Sequence, residues 1–192
     1  ITKINMYKNI GIVIPTKKYS PNLNKTIKSI LIQSYLPTEL IIVTGNKIEK
    51  KLYNKKKIYF KIINSRIKNQ VHQRSIGINF LSKKIDIILQ LDDRVILNKN
   101  CLKELINCWN KSKKNTIGIG LNQVLNNNNL GFTNKISNIF GLNGKVFSFG
   151  LNFDYSNLKN NLEVMWLKGG LSSWCFKKNS RIKNRKFPLW NW

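Results

Sequence analysis

Two adjacent carboxylates follow an apolar segment near the middle of the chain. The segment Asp86–Leu91 is typical of a strand buried in a sheet, and Asp92 and Asp93 stand directly after it. The carboxyl end of such a strand is where open α/β sheets bind ligands. Since the chain has only 8 acidic residues against 34 basic ones, a neighbouring acidic pair is not expected on an ordinary solvated face. The pair therefore indicates a site for a metal-bound or phosphate-bearing ligand.

The elements that must position this pair alternate along the first 110 residues. Apolar runs predict strands, and apolar residues at helical spacing predict the helices between them. Such alternation predicts an α/β fold, with a doubly wound and mostly parallel sheet flanked by helices. The predicted strands are Ile10–Pro15, Leu40–Val43, Ile58–Ile63 and Asp86–Leu91, and the predicted helices are Pro21–Ser34, Asn69–Ser82 and Lys99–Asn110.

The second part of the chain is less regular. Thr116–Leu121 predicts one more strand, and a stretch rich in Asn, Gly and Phe follows to about residue 161. Val164–Leu167 then predicts a strand that ends in a tight turn at Gly169 and Gly170. A chain of 192 residues fits a single domain, 1–192. Because it starts at Ile1 and ends on a tryptophan-rich segment, we expect it to be cut within that domain.

The formal charge of +26 invites a nucleic-acid interpretation, but codon bias explains it better. Lysine, asparagine and isoleucine dominate and alanine is absent, as expected of an A/T-rich genome. We therefore predict no specific nucleic-acid partner. The charge still favours contact with acidic lipid surfaces or with sugar-nucleotide phosphates. No apolar run approaches the roughly 20 residues of a membrane span, so we expect a cytoplasmic protein, or one peripheral to the inner face of the cell membrane.

Metal-thiolate and hydrolase chemistry find little support. The three cysteines form no CxxC pair, and His72 is the single histidine. A zinc site and a Ser-His-Asp or Cys-His hydrolase are therefore not expected.

Four segments in order resemble the family 2 glycosyltransferases, which have the GT-A fold. Ile12–Thr16 resembles the family's first strand, and Gln73–Gly77 (QRSIG) is similar to its Ala-Arg-Asn-x-Gly element. Leu91–Arg94 stands at the place of the family's Asp-x-Asp motif. Trp166–Gly170 matches an acceptor-side Trp-x-x-Gly-Gly. Each motif is weak alone, but their order and spacing together are specific.

The resemblance implies a sugar-nucleotide-dependent transferase with a nucleotide-binding half, 1–115, and an acceptor-side half, 116–192. Its partners are a nucleotide-sugar donor and a glycan or lipid-linked acceptor, used in synthesis of a bacterial surface polysaccharide or glycoconjugate. Mn²⁺ or Mg²⁺ is the implied cofactor, with Asp93 as its ligand. The implied donor residues are Pro15, Thr16, Thr44, Arg74, Asp92, Asp93 and Arg94, and the acceptor residues are Trp166, Gly169 and Gly170.

Three departures from the family pattern bear on the mechanism. Thr44, Gly45 and Asn46 stand where the family has an acidic residue that contacts the base. Arg94 replaces the final aspartate of Asp-x-Asp, so either Asp93 with a neighbouring group binds the metal, or Arg94 neutralises the diphosphate without one, or catalysis is lost. Asp154 and Glu163 are the only acids after Glu104, and neither matches the family's catalytic base, which we leave unassigned.

Three other functions compete with this interpretation. One is an inactive glycosyltransferase-like domain that only binds nucleotide or glycan. Another is a sugar nucleotidyltransferase, but that class needs a glycine-rich phosphate loop after the first strand, and residues 16–20 contain no glycine. A nucleic-acid-binding protein would show steeply salt-dependent affinity and no sugar-nucleotide binding.

Overall fold

A computed structural model gives the fold and describes residues 6–46, 58–113, 115–121 and 170–175. In this part of the chain six strands form one sheet in the order β3-β2-β1-β4-β6-β5. The elements are β1 (Ile10–Thr16), α1 (Pro21–Leu31), β2 (Glu39–Thr44), β3 (Tyr59–Asn64), α2 (Gln70–Phe80), β4 (Ile87–Leu91), α3 (Cys101–Lys111), β5 (Gly118–Gly120) and β6 (Leu171–Cys175).

The predicted α/β sheet is confirmed. The first four strands run parallel to one another, and β6 runs antiparallel to both β4 and β5. Alternate residues of the central strands point to opposite faces. One face packs against α1 and α3, for example through Ile12 and Ile14, and the other carries Val13 and Val43 toward α2. The buried side chains on both faces explain why these strands are nearly continuous apolar runs.

Most predicted elements are present with shifted ends. The first helix was predicted to reach Ser34 but ends at Leu31, because the buried side chain of Gln33 serves another element. Its amide donates to Asn98 O at 2.7 Å, and its carbonyl accepts from Leu102 N at 3.0 Å. Gln33 thus connects the end of α1 to the first turn of α3. The predicted strand Thr116–Leu121 is shorter, and Val164–Leu167 lies outside the described residues.

Strand β6 was not predicted, because its sequence carries polar residues where a buried strand usually has apolar ones. Ser172 and Ser173 are fully buried. Ser173 Oγ accepts from the indole N–H of Trp109 at 3.0 Å and donates to Ile119 O at 2.8 Å. These partners satisfy a hydroxyl whose burial would otherwise be costly. The strand is placed directly beside β4, with Leu171 aligned to Leu91.

Helix α2 lies close against the sheet. A Cβ atom added at Gly77 would stand 2.3 Å from Val13 Cγ1, so only glycine permits this approach. Asn69 caps the helix by accepting from Val71 N and His72 N. Because α2 follows the parallel strand β3, its capped first turn lies at the carboxyl edge of the sheet. Side chains of that turn therefore face the acidic pair after β4.

Candidate functional site

The ends of β1 and β2 and the first turns of α2 meet at one edge of the sheet. Thr16 is aligned with Thr44 in the parallel register. The carbonyl of Thr16 accepts two hydrogen bonds, from Gly45 N at 3.1 Å and from the buried amide of Gln73 at 3.2 Å. These bonds fix the strand ends relative to α2. The predicted donor residues of the nucleotide-binding half therefore do lie along a common edge.

Asp92 is held from two sides. Its Oδ1 accepts from Arg74 Nη2 at 2.6 Å and from Gln70 Nε2 at 3.1 Å, both from α2. On the other side its backbone N–H donates to Gly170 O at 3.0 Å, immediately before β6. The side chains of Arg74 and Asp92 are 16% and 40% exposed, so solvent screens the ion pair only in part. Asp92 thus links the donor-side helix to the strand that follows the predicted acceptor motif.

Gly170 is in contact with the Asp92 carboxylate. A Cβ atom added at Gly170 would lie between 2.1 and 2.5 Å from the three carboxylate atoms of Asp92. A side chain at this position would require the carboxylate or the backbone to shift, so glycine permits this close approach as it stands. Trp166 and Gly169, the other predicted acceptor residues, lie outside the described residues.

Asp93 makes a different contact. Its Oδ2 accepts from the Thr16 hydroxyl at 2.6 Å, across 77 positions of the chain. Such a short O–H···O distance is typical of a bond to an ionised carboxylate. Its Oδ1 has no hydrogen bond to another described residue. The adjacent acids therefore differ, since Asp92 is paired with a cation and Asp93 only with a neutral hydroxyl.

Arg94 is exposed and pairs with none of the described carboxylates. Pro15 is buried within β1, beside Val43 of β2. Thr44 is fully buried, and its hydroxyl donates to Asn46 O at 2.9 Å and accepts from Asn46 N at 3.2 Å. The hydroxyl of Thr44 thus closes a turn at the strand end. Arg74, one of the predicted donor residues, contacts a carboxylate here, and its buried Nε has no hydrogen-bond partner within the described part of the chain.

Two side chains escaped the sequence analysis. Gln70 opens α2 and reaches Asp92, although its sequence context differs little from that of other polar helix residues. Gln73 stands where the family motif has alanine, and its buried amide holds the end of β1. That replacement of a small residue by a long polar one was the available signal, because a buried amide must find partners.

Two other acidic residues of the described part have structural roles at the opposite edge of the sheet. The buried carboxylate of Asp86 accepts from Lys8 N and Asn9 N, each at 3.0 Å. Glu39, also buried, accepts from Ser82 N at 3.1 Å. Asp86 directly precedes β4, and Glu39 is the first residue of β2. The acids at the carboxyl ends are thus distinct from those that fasten the amino ends.

The residues present fit a hard divalent cation through Asp93. Such ions are commonly bound by one or two carboxylates, with phosphate oxygens of the substrate and water completing the shell. Each acid has one oxygen without a hydrogen bond to a described residue, but Asp92 is already paired with the Arg74 cation, whereas Asp93 contacts only a neutral hydroxyl among the described residues. Within residues 6–46, 58–113, 115–121 and 170–175, no three metal-binding side chains of His, Cys, Asp or Glu come together. A cation would therefore depend on the diphosphate for most of its ligands.

Thiolate chemistry is disfavoured at two of the cysteines. Burial raises the pKa of Cys101, and burial together with the Glu104 carboxylate raises the pKa of Cys108. Both thiols therefore stay protonated near neutral pH and are poor nucleophiles. In the described part of the chain, no helix has the length and apolarity needed to cross a bilayer.

The mostly parallel sheet, with the acids that follow β4 at its carboxyl edge and Arg74 of α2 beside them, has the GT-A, Rossmann-like architecture that the sequence predicted. The sequence matches the model of glycosyl transferase family 2 over residues 11–166, and the chain belongs to that family. No curated protein sequence matches the chain significantly.

Solved structures share the fold at low sequence identity. One similar structure is the mannosyltransferase PcManGT from Pyrobaculum calidifontis, solved with GDP-Man and Mn²⁺. Its TM-score is 0.59 at 10% identity, and the superposition covers 93% of this chain and 48% of that one. TarS 1–349 of S. aureus gives a TM-score of 0.52 at 14% identity, over 64% of this chain and 38% of that one. A 4-diphosphocytidyl-2C-methyl-D-erythritol synthase from Anaerococcus prevotii gives 0.52 at 12% identity, covering 96% and 79%. The chain thus spans less than half the length of the first two.

Proposed function

We propose that this protein transfers a sugar from a nucleotide-sugar donor to a glycan or lipid-linked acceptor, in synthesis of a bacterial surface polysaccharide or glycoconjugate. Membership of glycosyl transferase family 2 supports the transferase class. One observation supports the donor site most directly: after the carboxyl end of β4, Asp92 pairs with Arg74, whereas Asp93 accepts from the Thr16 hydroxyl. The likeness to the synthase means that the fold alone does not distinguish between nucleotide chemistries, so the support for sugar transfer comes from the family and from this site.

The chemistry follows from charge. The acceptor hydroxyl attacks the anomeric carbon in line as the nucleoside diphosphate leaves, and the departing group gains negative charge. Groups that neutralise this charge lower the barrier. Asp93 would hold a divalent cation, whose chemistry when bound is to neutralise the diphosphate oxygens. Asp92 keeps Arg74 fixed beside the site. Gly170, a predicted acceptor residue directly before β6, lies against the same carboxylate.

The test is binding and transfer with the full-length protein. Sugar nucleotides carrying uracil, guanine or cytosine are titrated by calorimetry, with Mn²⁺ and with EDTA, and hydrolysis of the bound donor is followed. We expect one donor to bind with Mn²⁺ and to be hydrolysed slowly without acceptor. Failure of every donor to bind under either condition would rule out this function. Binding without hydrolysis or transfer would favour the inactive glycosyltransferase-like domain.

The exchange Arg94→Asp separates the two ways of neutralising the diphosphate. If a cation at Asp93 neutralises the diphosphate, EDTA abolishes transfer by the wild type. The Arg94→Asp variant then binds Mn²⁺ about tenfold more tightly, because a positive charge that repels the cation is replaced by a negative charge that attracts it. We expect this result. Lys99→Asp is the matched control, since Lys99 is also exposed and follows β4 but has no proposed ligand. Transfer that resists EDTA and is lost in Arg94→Asp would instead assign the neutralising role to the guanidinium.

We also propose that the protein is cytoplasmic and associates peripherally with the inner face of the cell membrane. Exposed cations at the carboxyl edge support this, among them Lys17, Lys18, Arg66 and Lys68. We expect the protein to sediment with vesicles containing anionic phosphatidylglycerol, to leave them at high salt, and to ignore neutral phosphatidylcholine vesicles. Equal sedimentation with both kinds of vesicle would contradict the electrostatic basis.

A further inference from the structure

Three strand ends in the described chain carry the same hydroxyl turn. The side-chain oxygens of Thr16, Thr44 and Ser65 donate to the carbonyl two residues further on, at 2.9, 2.9 and 2.7 Å. Thr44 and Ser65 also accept the backbone N–H of that same residue, each at 3.2 Å. Each of these two hydroxyls therefore acts within its own turn.

Thr16 departs from this pattern because its hydroxyl faces a second acceptor. Asp93 Oδ2 lies 2.6 Å from Thr16 Oγ1, closer than the Lys18 carbonyl at 2.9 Å. A hydroxyl has a single proton to donate. The bond to an ionised carboxylate is the shorter and stronger of the two, so the proton is directed mainly to Asp93. The side chain of Thr16 is buried, which restricts both partners to this geometry.

We infer that Thr16 is a positioning residue for Asp93: its hydroxyl holds Oδ2, so that Oδ1 would be the oxygen left to hold a divalent cation beside a nucleoside diphosphate. This inference rests on the proposed function, and it names a role for Thr16 other than contact with the nucleotide. A carboxylate with one oxygen held loses rotational freedom, and outer-shell partners of this kind usually matter for metal affinity. Asp92 is less suited to this role, because its Oδ1 already accepts from the Arg74 guanidinium and the Gln70 amide, and its Oδ2 lies against Gly170.

The competing explanation is that Thr16 only closes its turn, as Thr44 and Ser65 do. Thr16→Val removes the hydroxyl at nearly constant volume, and Thr16→Ser restores it. Ser65→Ala is the matched control, because it deletes the same kind of turn hydrogen bond after β3, where the hydroxyl bonds to no carboxylate of the described residues. All three variants are compared with wild type by melting temperature and by Mn²⁺ affinity.

Mn²⁺ affinity is measured by calorimetry with UDP or GDP present at saturation, whichever the wild type binds. We expect Thr16→Val to weaken Mn²⁺ binding by about 10- to 100-fold. Thr16→Ser should return it close to wild type, and Ser65→Ala should lower the melting temperature without changing Mn²⁺ affinity.

The outcomes are distinguishable. If the wild type binds neither nucleotide nor sugar nucleotide, the proposed function fails, and the inference with it. If the wild type binds nucleotide equally well with Mn²⁺ and EDTA, or if Thr16→Val matches Ser65→Ala in both measurements, the inference alone is overturned. If Thr16→Val does not fold, Thr16→Ala takes its place, and wild-type Mn²⁺ affinity in that variant would overturn the inference.

Discussion

Replacing Gly170 with alanine is expected to reduce transfer by about 10²-fold, the scale of loss that a misplacement near 1 Å causes at a reacting site. The new methyl group would lie 2.1 Å from Asp92 Oδ2, a distance that requires strand β6 or the carboxylate to move. Either movement disturbs the backbone bond from Asp92 N to Gly170 O or the ion pair with Arg74. We also expect the free energy of unfolding to fall by about 1–3 kcal/mol, as in other overpacked positions.

Two comparisons test this reason. Gly120→Ala places the same methyl group on the exposed edge strand β5 and should change neither stability nor transfer appreciably. In an Asp92→Ala background the colliding atoms are gone, so Gly170→Ala should then cost little further stability, and the two changes should be strongly non-additive. Additive effects on unfolding would show that the glycine is needed for some reason other than contact with Asp92.

The sequence was sufficient to predict the elements that are simple in composition. Strands β1 to β4 are apolar runs separated by amphipathic helices, and their order along the chain implies a parallel sheet. The element that was missed, β6, depends on partners distant in the chain. Ser173 is acceptable in the interior only because Trp109 donates to it from α3, and nothing in the local sequence indicates that bond. The end of α1 was misplaced for a similar reason, since the amide of Gln33 is used by α3.

The site shows the same limit. The position of Asp92 and Asp93 at a strand end followed from the apolar run before them. Which partner each would have did not, because the sequence pattern alone does not say which hydroxyl or cation the fold brings to each carboxylate. In the structure, Asp92 accepts a hydrogen bond from Arg74 and Asp93 accepts one from Thr16. Thr44, which occupies the position of the family's acidic residue, uses its hydroxyl in its own turn. The residue type suggested hydrogen bonding to a base, and only the backbone geometry reveals the local partner.

Because Asp92 and Asp93 have different partners, replacing each with asparagine should have different effects on transfer. Asp93→Asn should reduce transfer by about 10²- to 10³-fold, the loss typical of removing one group that neutralises charge in a transition state. The amide is nearly isosteric and can still accept from Thr16, so the melting temperature should barely change. What is lost is the anionic oxygen that a hard cation requires.

Asp92→Asn should have a smaller effect on transfer, because its carbonyl oxygen can still accept from Arg74 and Gln70. The ion pair is partly exposed, and its loss should cost at most about 1 kcal/mol of stability. The deciding measurement is the Mn²⁺ concentration that gives half-maximal transfer: Asp92→Asn should leave it near the wild-type value, while Asp93→Asn should raise it beyond the accessible range. If Asp92→Asn instead raised this Mn²⁺ concentration and Asp93→Asn left it unchanged, Asp92 would be the cation ligand. Its bond to Arg74 would then have to break before the donor binds.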